Sequence, residues 1–227
     1  MNSKAVLYKE YKVFFLLLAV YFGVAGWIWL NTEKGVPELY INAHWSPPAD
    51  IFFKYFTYVG DGWVYTVFVF SLLLLRFRHI LVATLAILLK TAVVQYFKLS
   101  LFHNSPRPTK YFPYDTNFHF VDGVQVYATN SFPSGHTSTA FCLAVVVIYI
   151  LAFENVKYRA FWQVVCFTMA FLVGISRMYL LQHFLEDTYV GTFIGAFFAW
   201  ITVIALYHIL PKYPSTAWNR SLLRLKG

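Results

Sequence analysis

The chain has 227 residues, of which 59% are hydrophobic and only 12% are charged. Soluble domains carry about 25% charged residues, so this composition excludes a soluble enzyme, a disordered chain and a secreted disulfide scaffold. The formal net charge is +8, but the basic residues lie in short loops between apolar runs, where they orient a membrane protein. We therefore expect membrane lipids as partners, no nucleic acid and no obligate protein partner.

Apolar runs long enough to cross a bilayer follow one another along the chain. They lie at roughly 12–31, 58–75, 79–98, 137–153, 160–177 and 187–210. We predict an all-α fold, an integral membrane bundle of six transmembrane helices that forms a single domain over residues 1–227. The second run is interrupted at its outer end by Gly60-Asp61-Gly62.

Two connections between these runs are long. Residues 32–57 include an aromatic-rich stretch after Pro47 and Pro48, which predicts a short interfacial helix with Asp50 as a candidate N-cap. Residues 99–136 form a polar loop, and loops of this length are commonly lids or binding loops.

The basic residues predict the orientation of the chain in the membrane. With the N-terminus inside, eleven Lys and Arg residues lie on the inner side and six on the outer side, while Lys90 falls within the third run. This bias predicts a multi-pass protein of the cytoplasmic (inner) membrane with both termini in the cytoplasm. The long loop then faces the periplasm or the exterior.

Three polar clusters fall at the predicted outer ends of the runs. They are Lys98 with Arg107, the segment Ser131 to Thr137, and Arg177 with His183 and Asp187. Ionisable groups at the ends of membrane spans need partners or a task. Their shared depth therefore predicts a functional site at the outer face of the membrane.

The second cluster contains Pro133-Ser134-Gly135-His136, which is typical of a helix entry. Ser134 can cap the helix, Gly135 allows a ligand to approach the backbone, and the free N–H groups of a helix start attract anions. His136 would lie beside such an anion. The alternative is an ordinary helix start with an interfacial histidine.

In the third cluster, His183 and Asp187 are four residues apart and share one face of a helix start. A carboxylate can hold one ring nitrogen and leave the other lone pair available, as an activated base or nucleophile requires. Arg177 adds a planar fork that suits phosphate oxygens. The alternatives are a plain i,i+4 pair and a cation that reaches toward the interface.

Three cations, a helix N-terminus and two histidines together indicate a phosphate ester as the ligand. Phosphoryl transfer mainly requires positioning and charge neutralisation, which these groups can provide without a cofactor. A metal site is disfavoured because outward carboxylates are few, no His-x-x-x-His pair occurs, and the cations would repel a metal ion.

These residues resemble the three-part signature of the type 2 phosphatidic acid phosphatase superfamily. Pro133 to His136 matches the second part, and Ser176-Arg177 with His183 and Asp187 matches the third. The first part departs from the signature, since eight residues separate Lys98 from Arg107 where the family usually has six. The resemblance covers about residues 58–210.

The resemblance implies a role for each residue. His183 would attack phosphorus and form a phosphohistidine, Asp187 would orient it, and His136 would protonate the leaving oxygen. Five further groups would bind the phosphate oxygens, namely Lys98, Arg107, Ser134, the amide of Gly135, and Arg177. Reasoning from the residues alone does not decide which histidine attacks.

The expected function is a metal-independent phosphatase acting on a lipid phosphate or pyrophosphate at the outer face of the cytoplasmic membrane. Candidate substrates are lipid A, undecaprenyl pyrophosphate, phosphatidylglycerol phosphate and phosphatidic acid. One alternative is a lipid phosphotransferase with the same site, and another is a non-catalytic lipid-binding or transport protein.

Three further features lie outside these clusters. Gly191 and Gly195 predict close helix packing. Lys90, near mid-membrane, is read as a hydrogen-bonding group between helices or as a functional charge. Asp61 is read as a loop cap or as a border of the site.

Overall fold

The computed structural model describes residues 9–112, 116–210 and 217–222, and within these ranges the chain is helical with connecting loops and no strands. Five helices are long and apolar enough to cross a membrane. They are α1 (Lys12–Asn31), α5 (Phe77–Tyr96, extended to Leu101 by a wider π turn), α7 (Gly135–Phe153), α8 (Arg159–Tyr179) and α9 (Leu185–Ile209). The all-helical membrane fold predicted from the sequence is confirmed.

The predicted span at 58–75 corresponds to a pair of helical segments, Pro47–Gly60 and Gly62–Leu74, bent by 56°. Counted as one span, this pair brings the membrane-length elements of the described residues to six. The second segment of 13 residues reaches only about 20 Å, short of the roughly 30 Å hydrocarbon layer. Asp61 causes the break because its carboxylate accepts a hydrogen bond from the Trp63 N–H (3.0 Å) and starts a new helix.

The pair comprises α3 (Pro47–Phe56), a 3₁₀ turn (Thr57–Gly60) and α4 (Gly62–Ser71), which a second 3₁₀ turn extends to Leu74. The prediction that Asp50 caps the first helix is wrong. Ser46 is the cap, since its hydroxyl accepts from the Ala49 N–H. A serine directly before two prolines is well placed for this role, because proline suits the first helical turn.

Helix α7 lies at the centre of the bundle. In the most apolar 18-residue stretch of α7, 67% of the residues are buried, whereas the figure for α1 is 17%. Gly191 and Gly195 bring α9 against it, since a Cβ on Gly191 would lie 2.7 Å from the carbonyl oxygen of Ser134, and one on Gly195 would clash with the Ser138 backbone. The predicted close packing is confirmed, and it places the start of α9 beside the start of α7.

Lys90 on α5 contacts the same central helix. Its ammonium donates to Thr139 Oγ1 (2.6 Å) and Ser138 Oγ (3.3 Å), and both hydroxyls in turn donate to the Gly135 carbonyl. Lys90 therefore makes the hydrogen bonds between helices that the sequence allowed for, one turn below the helix entry.

Following the predicted orientation, we call the helix ends beside the start of α7 the outer ends and the opposite ends the inner ends. The inner ends are held by polar contacts. Arg76, in the turn between α4 and α5, pairs with Glu154 at the end of α7 (2.5 Å). The fully buried Arg78 donates to Asn219 Oδ1 (2.9 Å), which fastens the segment 217–222 against α5. Residues 1–8 and 223–227, on which the predicted location of both termini depends, lie outside the described residues.

The long connection between α5 and α7 folds over the outer ends of the helices. Its one helical segment among the described residues is α6 (Pro108–Tyr111). His119 bonds the Asp50 carboxylate (2.9 Å) and stacks on Trp45 with ring centroids 4.0 Å apart. Asp50, which does not cap its helix, thus holds the predicted binding loop in place.

Candidate active site

The structure brings the three predicted clusters together at the outer ends of four helices. The amide of Ser134 donates to the Asp187 carbonyl (3.0 Å), which ties the α7 entry to the α9 entry. Arg107 donates from Nη1 to the carbonyl of Gln182 (2.9 Å), which ties the long loop to the segment that carries His183. Sequence-distant residues therefore form one site.

His183 lies in the short connection between α8 and α9, and it is buried with 2% of its surface exposed. Its Nδ1 is 3.2 Å from Asp187 Oδ2. The same carboxylate oxygen also accepts from the Ser131 hydroxyl (2.5 Å) and from the Phe184 N–H (2.8 Å). An oxygen that accepts this many bonds is held in place, so Nδ1–H donates to it and the lone pair of Nε2 is available.

The surrounding charges favour the neutral imidazole. Burial lowers the pKa of His183 well below its ordinary value, and the cationic Arg107, Arg177 and Lys98 lower it further. A neutral ring with one nitrogen held by a carboxylate is the form in which histidine can act as a nucleophile.

The start of α7 forms the predicted helix entry. Ser134 is the N-cap, with its Oγ 3.4 Å from the Thr137 amide and 2.9 Å from the Thr137 hydroxyl. A Cβ added to Gly135 would have no neighbouring atom within 4 Å among the residues that the structure describes. A ligand could therefore approach the backbone closely at this position. The half-buried His136 follows in the first turn. Its ring makes no hydrogen bond to the residues that the structure describes.

Arg177 is 7% exposed at the outer end of α8. Its Nη1 donates to the hydroxyl of Thr57 in the 3₁₀ turn (2.8 Å). Its Nε is buried and has no hydrogen-bond partner among residues 9–112, 116–210 and 217–222. An unpaired buried donor costs about 1–3 kcal/mol, more for a charged group, so this atom is suited to an anionic acceptor.

The first cluster adds two cations at the same site. Arg107 is 9% exposed, and its guanidinium donates to the Thr129 carbonyl (2.9 Å) and to both oxygens of Gln182. Lys98, in the π turn that ends α5, donates to the Asn130 carbonyl (2.6 Å). The eight-residue spacing between them is accommodated by this wide turn and the loop that follows it.

Two residues that orient the site were missed by the sequence analysis, and a third, Ser131, was included in the second cluster without a role. Thr57 holds Arg177, Gln182 holds Arg107, and Ser131 holds Asp187. Ser131 and Gln182 lie next to motif residues, which was a usable signal. The sequence around Thr57 gave no such signal, because Thr57 reaches the site only through the bend between Pro47–Gly60 and Gly62–Leu74.

The fold and the site define a helical membrane protein with a cluster of cations and two histidines at one end of its helices. The chain belongs to the PAP2 superfamily, whose family model matches residues 79–210. The match covers more than half of the chain and includes all three clusters, so the family predicted from the motifs is confirmed.

Individual relatives agree with this assignment. Phosphatidylglycerophosphatase B of Bacillus subtilis (strain 168) is 39% identical over 69 residues, which is 29% of this chain and 34% of that protein. The similarity therefore spans about a third of that relative's length.

Two solved structures are similar over most of their length. The crystal structure of Aquifex aeolicus LpxE has a TM-score of 0.62 and 30% identity, and the match covers 74% of this chain and 92% of that one. The PAP2-type phosphatidylglycerolphosphate phosphatase of Bacillus subtilis has a TM-score of 0.56 and 21% identity, with 91% and 99% covered. The second comparison supports the fold alone.

Proposed function

We propose that this protein is a metal-independent phosphatase that removes phosphate from a membrane lipid phosphate or pyrophosphate through a phosphohistidine. The site would face the outer side of the cytoplasmic membrane, and one domain over residues 1–227 would carry it. Family membership and the phosphatase named among the relatives support the reaction class.

The observation that carries the proposal is the unpaired Nε–H of Arg177 in a buried site rich in cations. The pKa of His183 is lowered by the three nearby cations Lys98, Arg107 and Arg177. One oxygen of Asp187 already accepts from three donors. The site thus has surplus positive charge and a free donor. A phosphoryl group supplies what these donors lack, since it is an anion with three acceptor oxygens.

The geometry supports a two-step reaction. His183 Nε2 attacks phosphorus and the bond to the lipid oxygen breaks. His136, which takes up a proton once the phosphate charge offsets the nearby cations, gives that proton to the oxygen as the alcohol, or the lipid phosphate of a pyrophosphate, leaves. Water then attacks the phosphohistidine, His136 takes a proton from it, and the N–P bond breaks to restore His183. Lys98, Arg107, Arg177, Ser134 and the Gly135 amide would stabilise the charge on the phosphoryl oxygens.

A lipid substrate follows from the position of the site. The cluster lies where membrane-length helices α5, α7, α8 and α9 begin or end, so a head group at the interface could reach it while its hydrocarbon remains in the bilayer. Lipid A, undecaprenyl pyrophosphate, phosphatidylglycerol phosphate and phosphatidic acid all present such a group, and a second lipid in place of water would make the reaction a phosphotransfer.

The experiment is phosphate release by the purified protein across a panel of these four lipids. His183→Ala should lower turnover at least about a thousandfold, because no neighbour replaces a covalent nucleophile. His103→Ala is the matched control, since His103 is exposed on the same side. His183→Ala with a tenth of wild-type turnover would exclude the assignment.

The same assay tests the role of metal ions. Turnover should persist in excess EDTA and be inhibited by vanadate, which mimics five-coordinate phosphorus. Activity that is lost in EDTA and restored by magnesium would contradict a reaction based on side chains alone.

A further inference from the structure

A short helix in the first outer connection carries two buried polar side chains. This helix, α2 (Val36–Ala43), follows Gly35, which adopts the left-handed conformation at φ 94°. Glu38 is 0% exposed and Asn42 is 2% exposed. Because they are four residues apart, they lie on the same face of α2, and that face is turned toward the bundle.

The two side chains hold opposite ends of the segment that carries His183. Asn42 donates from Nδ2 to the carbonyl of Tyr179 (2.9 Å), the last residue of α8. Glu38 Oε1 accepts a hydrogen bond from the N–H of Leu185, the first residue of α9. Between these two points lie only the five residues 180–184.

The hydrogen bond that Glu38 accepts from Leu185 lies next to the one that Asp187 accepts from Phe184. Asp187 takes up the N–H of Phe184, and Glu38 takes up the next N–H along the chain. The first N–H groups of a helix have no partner within the helix, so these two carboxyl groups together determine where α9 begins. A shift of this point would move Asp187 and His183 with it.

We propose that Glu38 and Asn42 are positioning residues that hold both ends of the His183 segment, so that the imidazole faces the phosphoryl group at the correct distance. The inference rests on the proposed role of His183. Both residues lie outside the stretch 79–210 that matches the family model, so this device belongs to the first outer connection of this chain.

The contact at Glu38 requires an acceptor oxygen and not a negative charge. Its second oxygen, Oε2, is buried and has no partner in the part of the chain that the structure describes. Burial raises the pKa of Glu38 to about 7, and the nearby Asp187 and Glu186 raise it too. A protonated carboxyl keeps one acceptor oxygen for the Leu185 N–H, and a glutamine would keep it equally well.

Two conservative variants separate the hydrogen bond from the charge. Glu38→Gln keeps the length and the acceptor but can never be charged, whereas Glu38→Asp keeps the carboxyl group but is one methylene too short to reach Leu185. A misplacement of about 1 Å can cost about a hundredfold in rate. We expect Glu38→Asp to lower kcat at least about tenfold with KM within about threefold of wild type, and Glu38→Gln to stay within about threefold in both.

The control residue and the alternative test residue lie on the same connection as Glu38. Glu33, exposed on the same connection, provides Glu33→Asp as the matched control, which should behave as wild type. Wild-type kcat in Glu38→Asp, a change confined to KM, or Glu38→Gln being the slower variant would overturn the proposal. If thermal unfolding shows that Glu38→Asp does not fold, Asn42→Asp decides by the same criteria. This variant loses the Nδ2 donor to the carbonyls of Tyr179 and His119, while Oδ1 still accepts from the His119 N–H.

His183→Ala is measured in parallel to separate this inference from the proposed function. Activity that persists in His183→Ala contradicts the nucleophile itself. Activity that is lost in His183→Ala but unchanged in both Glu38→Asp and Asn42→Asp contradicts only the positioning role.

Discussion

At the scale of single residues, the two cations of the first cluster make different contacts. Arg107 is buried and makes bonds to Thr129 and Gln182, while Lys98 is only partly buried and has one bond, to Asn130. A planar guanidinium fixed in this way can present its remaining N–H groups to phosphate in one geometry, whereas an ammonium on a flexible stem acts as a point charge.

We therefore expect Arg107→Ala to reduce kcat/KM more than Lys98→Ala does, by about 1–2 kcal/mol in the activation barrier, the scale of a charge-assisted hydrogen bond. Steady-state kinetics on the best lipid of the panel measures this, and thermal unfolding of each variant separates lost structure from lost catalysis. Lys110→Ala, an exposed cation on the same loop, should be silent. An equal or larger effect of Lys98→Ala would show that the longer spacing leaves the lysine in its usual family position.

At the scale of helices, the contact between α7 and α9 positions the site. Gly191 lies against Ser134, the cap of the α7 entry, which is proposed to bind phosphate. Gly191→Ala should push the two helix starts apart, at a cost of about 1–3 kcal/mol in stability for an overpacked contact, and should lower kcat/KM at least about tenfold. Thermal unfolding and kinetics on the same preparation measure both effects.

Gly23→Ala is the control for this prediction. A Cβ at Gly23 on α1 would meet nothing within 4 Å, so this variant should match wild type or gain slightly from the better helix propensity of alanine. If Gly191→Ala keeps wild-type activity, the spacing of α7 and α9 does not control the site.

Sequence patterns predicted the long helices well and the bent crossing poorly. Hydrophobic runs identify spans because a bilayer imposes their length, and the glycines at 191 and 195 identified close packing. The aromatic stretch after Pro47 was predicted to be a short interfacial helix, and a helix forms there over Pro47–Phe56. The contacts of Asp50 with His119 and Tyr179, which hold this helix against the long loop and α8, were not predicted. Tertiary contacts of this kind leave no periodic pattern in the sequence.

The same distinction applies to the candidate site. Charged residues and histidines at span ends are rare enough to be recognised singly, which is why Arg177, His183 and Asp187 could be predicted as site residues. Their supports are common polar residues such as Thr57 and Gln182, whose importance depends on which atom they face in the folded chain. The motif predicts the reacting groups, and the structure is needed to find what holds them.

At the scale of the whole molecule, the distribution of basic residues predicts which side of the membrane the site faces. In a variant without Cys142 and Cys166, a cysteine in place of exposed Asn117 in the long loop should react with impermeant thiol reagents in outer-membrane-permeabilised cells. A cysteine in place of Lys157, exposed between α7 and α8, should react only after the inner membrane is opened. The reverse pattern would place the site in the cytoplasm and change the set of available substrates.

The free donor of Arg177 also bears on how the reaction would be regulated in a cell. Orthophosphate, the product, offers the same oxygens to Arg177, Arg107 and Lys98 as the lipid head group does, so only the hydrocarbon tail distinguishes substrate from product. The lipid is concentrated in two dimensions, while the phosphate dilutes into the external medium. We therefore expect orthophosphate to inhibit competitively, which would slow lipid turnover at the cell surface in phosphate-rich surroundings. If orthophosphate does not inhibit in the lipid assay, these donors reject the product.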